Sequence, residues 1–432
     1  MTADQRFDVL VVGAGPAGSA AALVLARGGA RVGLVDKATF PRDKACGDLI
    51  GPRGVQTLRD LDLERGLPCT ERVGDMFVVG PNGRRVQLPS APGLTYPDFG
   101  IVVPRTSFDA HLQHAAVEAG AVFINARADE PIGEDGLDGF CLSTGTRVRA
   151  DVIVGADGAT SRVSEVAGLV DPDRVLWGFA VRDYRAASIN LPNIMLWTPR
   201  AGQGFPGYGW VFPAGAGCVN VGLGIGLLAD RSSARRAPRE LDTFVRHATA
   251  IGALPVDVAP GRRSLGSWLK MGMVGTVPAR GRVLLVGDAA GLVNPLQGEG
   301  IAQALDSGRA AADAILAGVE RAADRYRAHL ASRYFPYLAT TASLQRSLLR
   351  RPQLVAALTR TLTASPVGSA LAGGWAITWN DLLDGAPPSA ARTVAAAAAR
   401  LGRVATAGSA DRRWLRAALD GHEPTRASAV RV

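Results

Sequence analysis

The chain has 432 residues, 47% hydrophobic and 20% charged, which is typical of a globular protein with two or three domains. Its net charge of +9 is not taken as a nucleic-acid footprint, because only three of its 48 basic residues are lysines and the arginines are spread along the chain. No apolar run reaches the roughly 18 residues of a transmembrane helix, and the four cysteines contain no C-x-x-C pair, so we expect neither a disulfide framework nor a metal site.

The first elements predict a βαβ unit. The run FDVLVV, residues 7–12, is apolar and β-branched and ends at a glycine turn, which favours a buried parallel strand. The stretch PAGSAAALVLARGG, residues 16–29, has small residues at helical spacing and a Gly-Gly stop, and RVGLVD supplies the next strand. The N-terminus has no basic segment before this strand, which argues against a signal peptide and favours a reducing cytoplasm.

Further elements follow in the middle of the chain. Residues 75–88 contain two β-like runs around Asn82-Gly83, which predicts a hairpin. Residues 107–121 form an amphipathic helical pattern with Ser107 as its N-cap. Two more apolar strands, ADVIVGADGATSR and RVLLVGDAAG, flank a β-rich region from Val175 to Ile225, and the chain beyond Asp313 is mostly helical.

Dinucleotide-type strands therefore occur at the start, the middle and the two-thirds point of the chain. We predict an α/β fold with a discontinuous Rossmann-type domain from residues 1–75, 100–165 and 275–330. A β-sheet substrate domain is predicted from residues 76–99 and 166–274, followed by a helical C-terminal region, 331–432.

The pattern Gly13-x-Gly15-x-x-Gly18 stands between a predicted strand and helix. In such a loop the first glycine permits the tight turn, the second lets a pyrophosphate approach the backbone, and the third lets helix and strand pack closely. Asp36 follows at the end of the next strand, where a carboxylate accepts hydrogen bonds from a ribose. The alternative is a glycine-rich turn that binds nothing.

A second loop, GDAAGLVNPLQGEGI, runs from Gly287 to Ile301. Asp288 at a strand end would bind ribityl hydroxyls, and Gly298 and Gly300 would let backbone amides meet a flavin ring at the next helix N-terminus. NAD needs no second loop at this distance, so the pair of loops predicts FAD.

Six motifs, in order, resemble the geranylgeranyl reductase family, which belongs to the para-hydroxybenzoate hydroxylase-like flavoproteins. They are GAGPAG, PRDKACGD, VPRTSFDAHL, GADGATSRV, YGWVFP and GDAAGLVNPLQGEGI, and the resemblance runs from about Phe7 to about Leu330. It implies an enzyme that uses reduced FAD to saturate isolated carbon–carbon double bonds of prenyl chains.

Other flavoproteins of this fold fit less well. Aromatic hydroxylases usually carry a histidine after GDAA, where this chain has Gly291. Flavin halogenases carry W-x-W-x-I-P and a catalytic lysine, whereas the pattern here is Y-x-W-x-F-P and the three lysines are poorly placed. Electron-transfer-flavoprotein:quinone oxidoreductases bind an iron–sulfur cluster, which four dispersed cysteines do not supply.

The resemblance also implies site residues. Arg105 would contact the FAD side of the fold and Asp157 would orient the dinucleotide near its pyrophosphate. The alternatives are a surface salt bridge for Arg105 and a turn-forming Asp-Gly for Asp157. The full set of predicted cofactor contacts is Gly13, Gly15, Ala17, Gly18, Asp36, Lys37, Cys46, Arg105, Asp157, Asp288, Gly298, Gly300 and Ile301.

Cys46 in KACGD, with Tyr208 and Trp210, is predicted to be catalytic. Reducing an unpolarised alkene needs a hydride at one carbon and a proton at the other, and the family's matching cysteine faces the flavin. The alternative for Cys46 is a small buried residue. Tyr208, Trp210 and Phe212 alternate along one strand and so line one side of a cavity, or else simply face the core. Leu49 departs from the family's glycine-rich loop after the cysteine.

Three functions remain open at this stage. The first is an FAD-dependent reductase of isoprenoid-like double bonds, with NADPH or reduced ferredoxin as donor, since the sequence has no second unit in which GxGxxG stands between a strand and a helix. The second is a flavin monooxygenase, a hydroxylase or epoxidase of a hydrophobic natural-product intermediate, and the third is a lipid-binding flavoprotein. The tail from Ala386 has eight arginines and three acids, so it either contacts anionic lipid head groups or is solvated.

Overall fold

A computed structural model of the chain describes residues 4–68, 71–80, 83–89, 95–133, 138–190, 192–197, 207–215, 217–227, 231–256, 258, 261 and 264–422. The strands within these ranges are β1 (Asp4–Val12), β2 (Val32–Asp36), β3 (Leu49–Ile50), β4 (Glu71–Val73), β5 (Met76–Val79), β6 (Arg85–Leu88), β7 (Gly100–Val102), β8 (Val122–Asn125), β9 (Ala128–Ile132), β10 (Gly139–Leu142), β11 (Arg147–Gly155), β12 (Leu176–Ala186), β13 (Asn193–Trp197), β14 (Gly207–Pro213), β15 (Cys218–Leu227), β16 (Leu265–Met271), β17 (Ala279–Arg280) and β18 (Val283–Leu285).

The helices of the same ranges are α1 (Pro16–Arg27), α2 (Pro52–Asp60), α3 (Arg105–Glu118), α4 (Arg162–Val166), α5 (Ala237–Ala250), α6 (Ile301–Leu316), α7 (Ala322–Arg333), α8 (Phe335–Leu349), α9 (Pro352–Leu362), α10 (Val367–Trp379), α11 (Ala390–Ala405) and α12 (Ala410–Leu419). Short 3-10 helices occupy Arg231–Arg236, Gly287–Ala290 and Val319–Arg321. Within the described part of the chain, no helix is long and apolar enough to cross a bilayer.

The first sheet has a parallel core of five strands in the order β18–β11–β1–β2–β8. Its central strand β1 is apolar on both faces because helices cover both sides, so Leu10 and Val11 are fully buried. The short strand β17 pairs antiparallel with β18, and β9 and β10 extend from β11. The three predicted dinucleotide-type strands at the start, middle and two-thirds point are thus neighbours in one sheet.

Close packing of α1 against α6 fixes the layer next to this sheet. The small residues Ala20, Ala21 and Ala22 of α1 are fully buried. A Cβ atom at Gly308 of α6 would lie 2.2 Å from the carbonyl oxygen of Ala17, so the two helix backbones touch there. The small residues that predicted this helix therefore bring the beginnings of both helices to one edge of the sheet.

The second sheet has seven strands in the order β16–β12–β15–β14–β13–β5–β6, antiparallel except for the β13–β5 pair. Helix α5 covers one face, where the ring of Phe244 packs so closely on β14 that a Cβ at Gly209 would lie 2.1 Å from it. Tyr208, Trp210 and Phe212 alternate with these positions and point to the opposite face. A third, three-stranded sheet has the order β3–β7–β4.

The C-terminal helices complete the molecule. Helix α7 packs on α6, α8 packs on α7, α11 and α12, and α10 packs on α11 and on strand β6. Ala372 and Ala376 of α10 form a small core with Val78 and Val86 of the β5–β6 hairpin. The prediction that the chain is mostly helical beyond Asp313 is confirmed, whereas the division into domains at the stated boundaries stays a prediction.

Two local predictions have different outcomes. The hairpin is confirmed, since Met76 pairs with Leu88 and Val79 with Arg85, while Asn82 lies outside the described residues. The N-cap at Ser107 is wrong, because α3 begins two residues earlier at Arg105, behind Pro104. The helix includes Arg105 because its guanidinium binds Asp109 one turn later, a contact that requires helical geometry between them.

Candidate active site

The first glycine loop has the three properties that a pyrophosphate site needs. Gly13 has a φ of +104°, and a Cβ there would lie 2.3 Å from the Ala156 carbonyl oxygen. A Cβ at Gly18 would lie 1.8 Å from the carbonyl oxygen of Gly13, so helix and loop are in backbone contact. A Cβ at Gly15 would meet only an Arg42 nitrogen, at 3.5 Å, and the N-terminus of α1 has no side-chain cap. The loop therefore leaves room at Gly15 beside free helix amides, which suits a bound diphosphate.

Asp36 holds this loop in place. Its carboxylate accepts hydrogen bonds from the backbone N–H groups of Ala14, at 2.7 Å, and Ala38, at 2.8 Å. Each carboxylate oxygen retains a second lone pair, so the predicted contact with a ribose is compatible with these bonds. Ala17 is buried between α1 and α6, and Lys37 is exposed just beyond the end of β2.

The second loop brings Asp288 and two glycines to the start of α6. Gly298 has a φ of +70°, and a Cβ there would lie 2.7 Å from the Tyr208 hydroxyl. Gly300 precedes Ile301 at an N-terminus without a side-chain cap, and a Cβ at Gly300 would lie 3.4 Å from an Asp288 carboxylate oxygen. The predicted residues of this loop are thus neighbours, at a second helix start that could receive the far half of a dinucleotide.

One cavity of about 330 Å³ connects this loop with both large sheets and with the C-terminal helices. Pro16, beside the first glycine loop, is one of its lining residues. The predicted site residues that line it are Cys46, Arg105, Tyr208, Trp210, Phe212, Asp288, Gly298, Gly300 and Ile301. The other predicted contacts, Gly13, Gly15, Ala17, Gly18, Asp36, Lys37 and Asp157, lie outside its lining.

Cys46 lies on the cavity wall and is held by a buried polar network. Its Sγ accepts a hydrogen bond from the Asp48 backbone N–H at 3.3 Å. The Asn220 amide donates to the Cys46 carbonyl and to the Asp48 carboxylate, both at 2.8 Å, and receives the Trp210 indole N–H at 2.9 Å. Burial raises the pKa of the Cys46 thiol, so the thiol is neutral near pH 7. Asp48 and Asn220 were not predicted from the sequence, because only the cysteine of KACGD was given a role and Asn220 belongs to none of the six motifs.

Arg105 is buried and paired, so the alternative of a surface salt bridge is wrong. Its guanidinium binds both carboxylate oxygens of Asp109 at 2.7 Å, and Arg42 binds the same carboxylate at 2.9 Å. Burial opposes the charge of Arg105, but the Asp109 carboxylate outweighs that effect and raises the arginine pKa. A permanent positive charge therefore borders the cavity beside Cys46, in a position suited to an anionic part of a cofactor.

Asp157 has a local role. Its carboxylate accepts hydrogen bonds from the Ser161 hydroxyl and from the backbone N–H of Val163, at the start of α4. Its contact with a dinucleotide stays a prediction.

Glu299 is a cavity residue that the sequence analysis missed. Its carboxylate accepts hydrogen bonds from the Gln297 amide at 2.7 Å and from the Gly51 backbone N–H at 3.4 Å. Burial raises its pKa to about 7, so the acid is about half protonated at neutral pH. The sequence alone could have indicated this residue, since Glu299 is the one ionisable residue between Gly298 and Gly300 of the second loop.

Lys270 was also missed. It is buried on β16, where its ammonium group donates to the carbonyl of Ala289 at 3.0 Å, and burial lowers its pKa to about 8. It supports the GDAA turn from outside the cavity lining.

The far wall of the cavity is apolar and comes from α8, α9 and α10. Its main side chains are Leu348, Val355, Leu358, Leu362, Trp375 and Trp379. Below this wall, the Arg53 guanidinium binds the Asp381 carbonyl and the Asp384 carboxylate and stacks over the Tyr96 ring at 4.8 Å. This buried group ties α2, next to the flavin loops, to the end of α10.

Two glycine loops, which follow β1 and β18 of one parallel sheet, and one deep apolar cavity define a Rossmann-type flavoprotein that binds a long dinucleotide. Residues 6–328 match the family model described as FAD binding domain, and the chain belongs to this family, in the group of FAD-dependent geranylgeranyl and menaquinone reductases. The FAD expected from the two loops and the α/β flavoprotein fold are therefore confirmed.

Three similar proteins show how far the likeness extends. A menaquinone reductase of Mycolicibacterium smegmatis is 36% identical over 326 residues, 73% of this chain and 78% of the relative. A digeranylgeranylglycerophospholipid reductase of Methanopyrus kandleri is 32% identical over 331 residues, 73% of this chain and 78% of the relative. The crystal structure of a geranylgeranyl bacteriochlorophyll reductase-like protein from Thermoplasma acidophilum has a TM-score of 0.67 at 23% identity, covering 88% of this chain and 98% of the other.

Proposed function

We propose that this enzyme saturates isolated carbon–carbon double bonds in the prenyl chain of a hydrophobic substrate. The observation that carries the proposal is the continuity of the cavity. It runs from Asp288 and Gly300, at the flavin end, to the apolar side chains of α9 and α10. Among the described residues that line the far wall on α8, α9 and α10 none is charged, so a hydrocarbon chain fits this wall better than a polar head or ring.

Bound and reduced, FAD supplies the hydride that adds to one alkene carbon. The chain's own residues would hold the cofactor, position the alkene, exclude water and deliver the proton. Gly15 and the α1 N-terminus suit the diphosphate, and Asp288 with the Gly298–Gly300 turn suits the ribityl and ring end. Trp210 and Phe212, whose rings stack with centroids 6.3 Å apart, offer a flat apolar wall for the prenyl chain.

Three ionisable groups of the cavity could give the proton to the second alkene carbon. Cys46 and Tyr208 hold their protons tightly, since burial raises both pKa values, and the Tyr208 hydroxyl already donates to the Gln297 carbonyl. Glu299, with a pKa of about 7, is the group best matched to neutral pH. We therefore assign proton delivery to Glu299. Cys46, Tyr208 and Trp210 line the same cavity and stay predicted residues of the reaction site.

The relatives support a prenyl substrate without deciding its head group, since one is named for menaquinone and another for a geranylgeranylated glycerophospholipid. NADPH or reduced ferredoxin would be the electron donor. Either would reduce the flavin without a dedicated dinucleotide domain of its own, because the sequence has no second unit in which GxGxxG stands between a strand and a helix.

A single-turnover experiment tests the proposal. The FAD-loaded enzyme is reduced without oxygen and mixed separately with a geranylgeranylated glycerophospholipid and with a menaquinone, and the products are analysed by mass spectrometry. We expect flavin reoxidation with a gain of two hydrogen atoms per reduced double bond for at least one substrate. Absence of anaerobic reoxidation, followed by a gain of one oxygen atom in air, would identify a monooxygenase and overturn the proposal.

A further inference from the structure

The apolar wall of the cavity continues onto the surface of the protein along two helices. On α9, Leu354, Leu358 and Leu362 follow one another at intervals of four residues, which places them in one row. Leu354 is 46% exposed and lies outside the cavity, Leu358 is 46% exposed and lines it, and Leu362 lines it further in. This row therefore passes from solvent into the cavity without interruption.

Helix α10 repeats the arrangement. Val367, Leu371, Trp375 and Trp379 also follow one another at intervals of four residues. Val367 and Leu371 are exposed by 44% and 37%, whereas Trp375 and Trp379 line the cavity. We call the four exposed side chains Leu354, Leu358, Val367 and Leu371 the cavity mouth. Exposed large apolar side chains that continue the wall of an apolar cavity mark a place where another apolar phase is contacted.

The stretch of sequence that carries α9 and α10 has charges of one sign. Between Asp324 and Asp381 the sequence contains seven arginines and no Asp or Glu, although the chain average would place about five acidic residues there. Four of these arginines bind described groups, such as Arg346 with Asp411 and Arg333 with Asp381. Arg350, Arg351 and Arg360 are exposed, and none forms an ion pair with a described residue.

We infer that the cavity mouth docks on the surface of a bilayer that contains anionic lipid, so that a lipid-borne prenyl chain enters the cavity directly from the bilayer. Apolar side chains at the level of the acyl chains and arginines at the level of the head groups are the usual composition of an interfacial helix. This inference rests on the proposed function for its substrate. It places membrane contact at α9 and α10 and not at the arginine-rich tail, which the sequence analysis had considered and of which residues 423–432 are outside the described residues.

Vesicle co-sedimentation of the full-length, FAD-loaded protein tests the inference. The probes are phosphatidylcholine vesicles with and without phosphatidylglycerol. The substitutions Arg350→Gln, Arg351→Gln and Arg360→Gln are combined in one variant. Since each arginine near an anionic surface contributes about 1 kcal/mol, we expect roughly a hundredfold lower partition of this variant onto the anionic vesicles. A second variant, Leu354→Gln with Val367→Gln, removes exposed apolar groups outside the cavity lining and should also reduce partition.

The matched control removes the same charge from α11, through Arg392→Gln, Arg400→Gln and Arg403→Gln. These arginines are exposed too, and Leu401 and Val404 beside them are 70% and 72% exposed. Partition unchanged in the control supports the cavity mouth as the docking surface. Loss of partition in the control alone would overturn the inference and would place the contact on the tail. The inference would also be overturned if the wild type bound neutral and anionic vesicles equally, or if it bound neither.

Rates measured on two forms of the substrate, one in detergent and one embedded in vesicles, distinguish this inference from the proposed function. Both variants should reduce a short prenyl substrate in detergent as fast as wild type and lose rate only on substrate embedded in anionic vesicles. If anionic vesicles bind the wild type through the cavity mouth but no prenyl substrate is reduced, the proposed function fails and the docking surface stands. If the short substrate is reduced while vesicles do not bind, the docking surface fails alone.

Discussion

The first glycine loop, at the flavin end, owes its shape to backbone contacts, whereas the far end of the cavity is bounded by side chains. A Cβ atom at Gly13 or Gly18 would clash with main-chain atoms, and one at Gly298 would clash with the Tyr208 hydroxyl. Along α9 and α10, leucine and tryptophan side chains define the cavity surface. The first end can hold only a ligand of one shape, and the second can accept chains of different lengths by rotamer changes. Substitutions at the two ends should therefore fail in different ways.

The largest effect is expected for Gly18→Ala. A methyl group would lie 1.8 Å from the Gly13 carbonyl oxygen, and since both are backbone, α1 must move away from the loop. We expect loss of bound FAD and destabilisation by about 3 kcal/mol or more, measured by flavin absorbance of the purified protein and by thermal unfolding. The control is Gly408→Ala, where a Cβ meets nothing within 4 Å. Normal FAD content in Gly18→Ala would contradict this prediction, since it would show that the loop can move enough to accommodate the methyl group.

The next effect concerns Glu299→Gln. If Glu299 delivers the proton, the acid must be protonated, so the rate is highest below pH 7 and falls as pH rises through the pKa of about 7. We expect the substitution to lower the single-turnover rate about a hundredfold and to remove this pH dependence. Asp381→Asn serves as control, because burial also raises the pKa of Asp381 to about 7 although it does not line the cavity. Since the negative charge of Asp381 helps to raise the Glu299 pKa, this variant should move the pH dependence to lower pH and retain it. Loss of the pH dependence in the control instead would assign it to the Arg53 group.

The same pKa also predicts a stability change. The folded-state pKa of Glu299 lies above its ordinary value of 4.5, so the folded protein holds this proton more tightly than the unfolded chain. The contribution to stability is present below pH 4.5 and is lost as pH rises to 7. Glu299→Gln, which cannot ionise, should therefore raise the melting temperature at pH 8 relative to wild type and have little effect at pH 4.5.

A smaller, selective effect is expected at the far end. Leu362→Trp fills the cavity between α9 and α10, so kcat/KM for a long prenyl chain should fall about tenfold, while a short chain and the FAD content are unaffected. Leu354→Trp, eight residues earlier on the exposed part of the same row, should leave both substrates unchanged in detergent. An equal loss on short and long chains would place Leu362 next to the reacting bond.

The smallest effect is expected for Tyr208→Phe. The hydroxyl donates to the Gln297 carbonyl and fixes the turn before Gly298. One such hydrogen bond contributes about 1 kcal/mol, so the affinity for FAD should weaken about fivefold in an equilibrium titration. An unchanged affinity would indicate that the Gly298 backbone keeps its conformation without the tyrosine.

The two ends also differ in how well the sequence predicts them. A backbone-defined surface requires glycine at fixed positions, so GAGPAG and GDAAGLVNPLQGEGI predicted the loops, their strands and FAD. The alternation of Tyr208, Trp210 and Phe212 predicted their common face. Nothing comparable exists for α9 and α10, because any combination of large apolar side chains can form such a wall, and which helix meets which sheet depends on contacts between residues about 300 positions apart. The Arg53–Asp384 pair is one example.

The polar groups that line the cavity were predicted less well than the glycine loops and better than the wall formed by α9 and α10. Arg105 was selected by its motif, yet its burial follows from Asp109 and Arg42, which converge only in the folded chain. Glu299 could have been selected as the single acid between two glycines, but its pKa depends on burial. Ser107 was assigned as an N-cap from local pattern alone, and the buried pair formed by Arg105 decided otherwise.

The Arg53 group limits how this protein could be divided or recombined. The family match ends at residue 328, which suggests a cofactor-binding module with a replaceable C-terminal extension. Arg53, on a helix of that module, has a side chain only 10% exposed, and its carboxylate partners come from residues 381 and 384. Removal of the extension would leave that charge without its carboxylate partners, a loss that typically destabilises a protein by about 3–5 kcal/mol. A chimaera that exchanges the C-terminal helices must therefore keep carboxylates at the positions of Asp381 and Asp384.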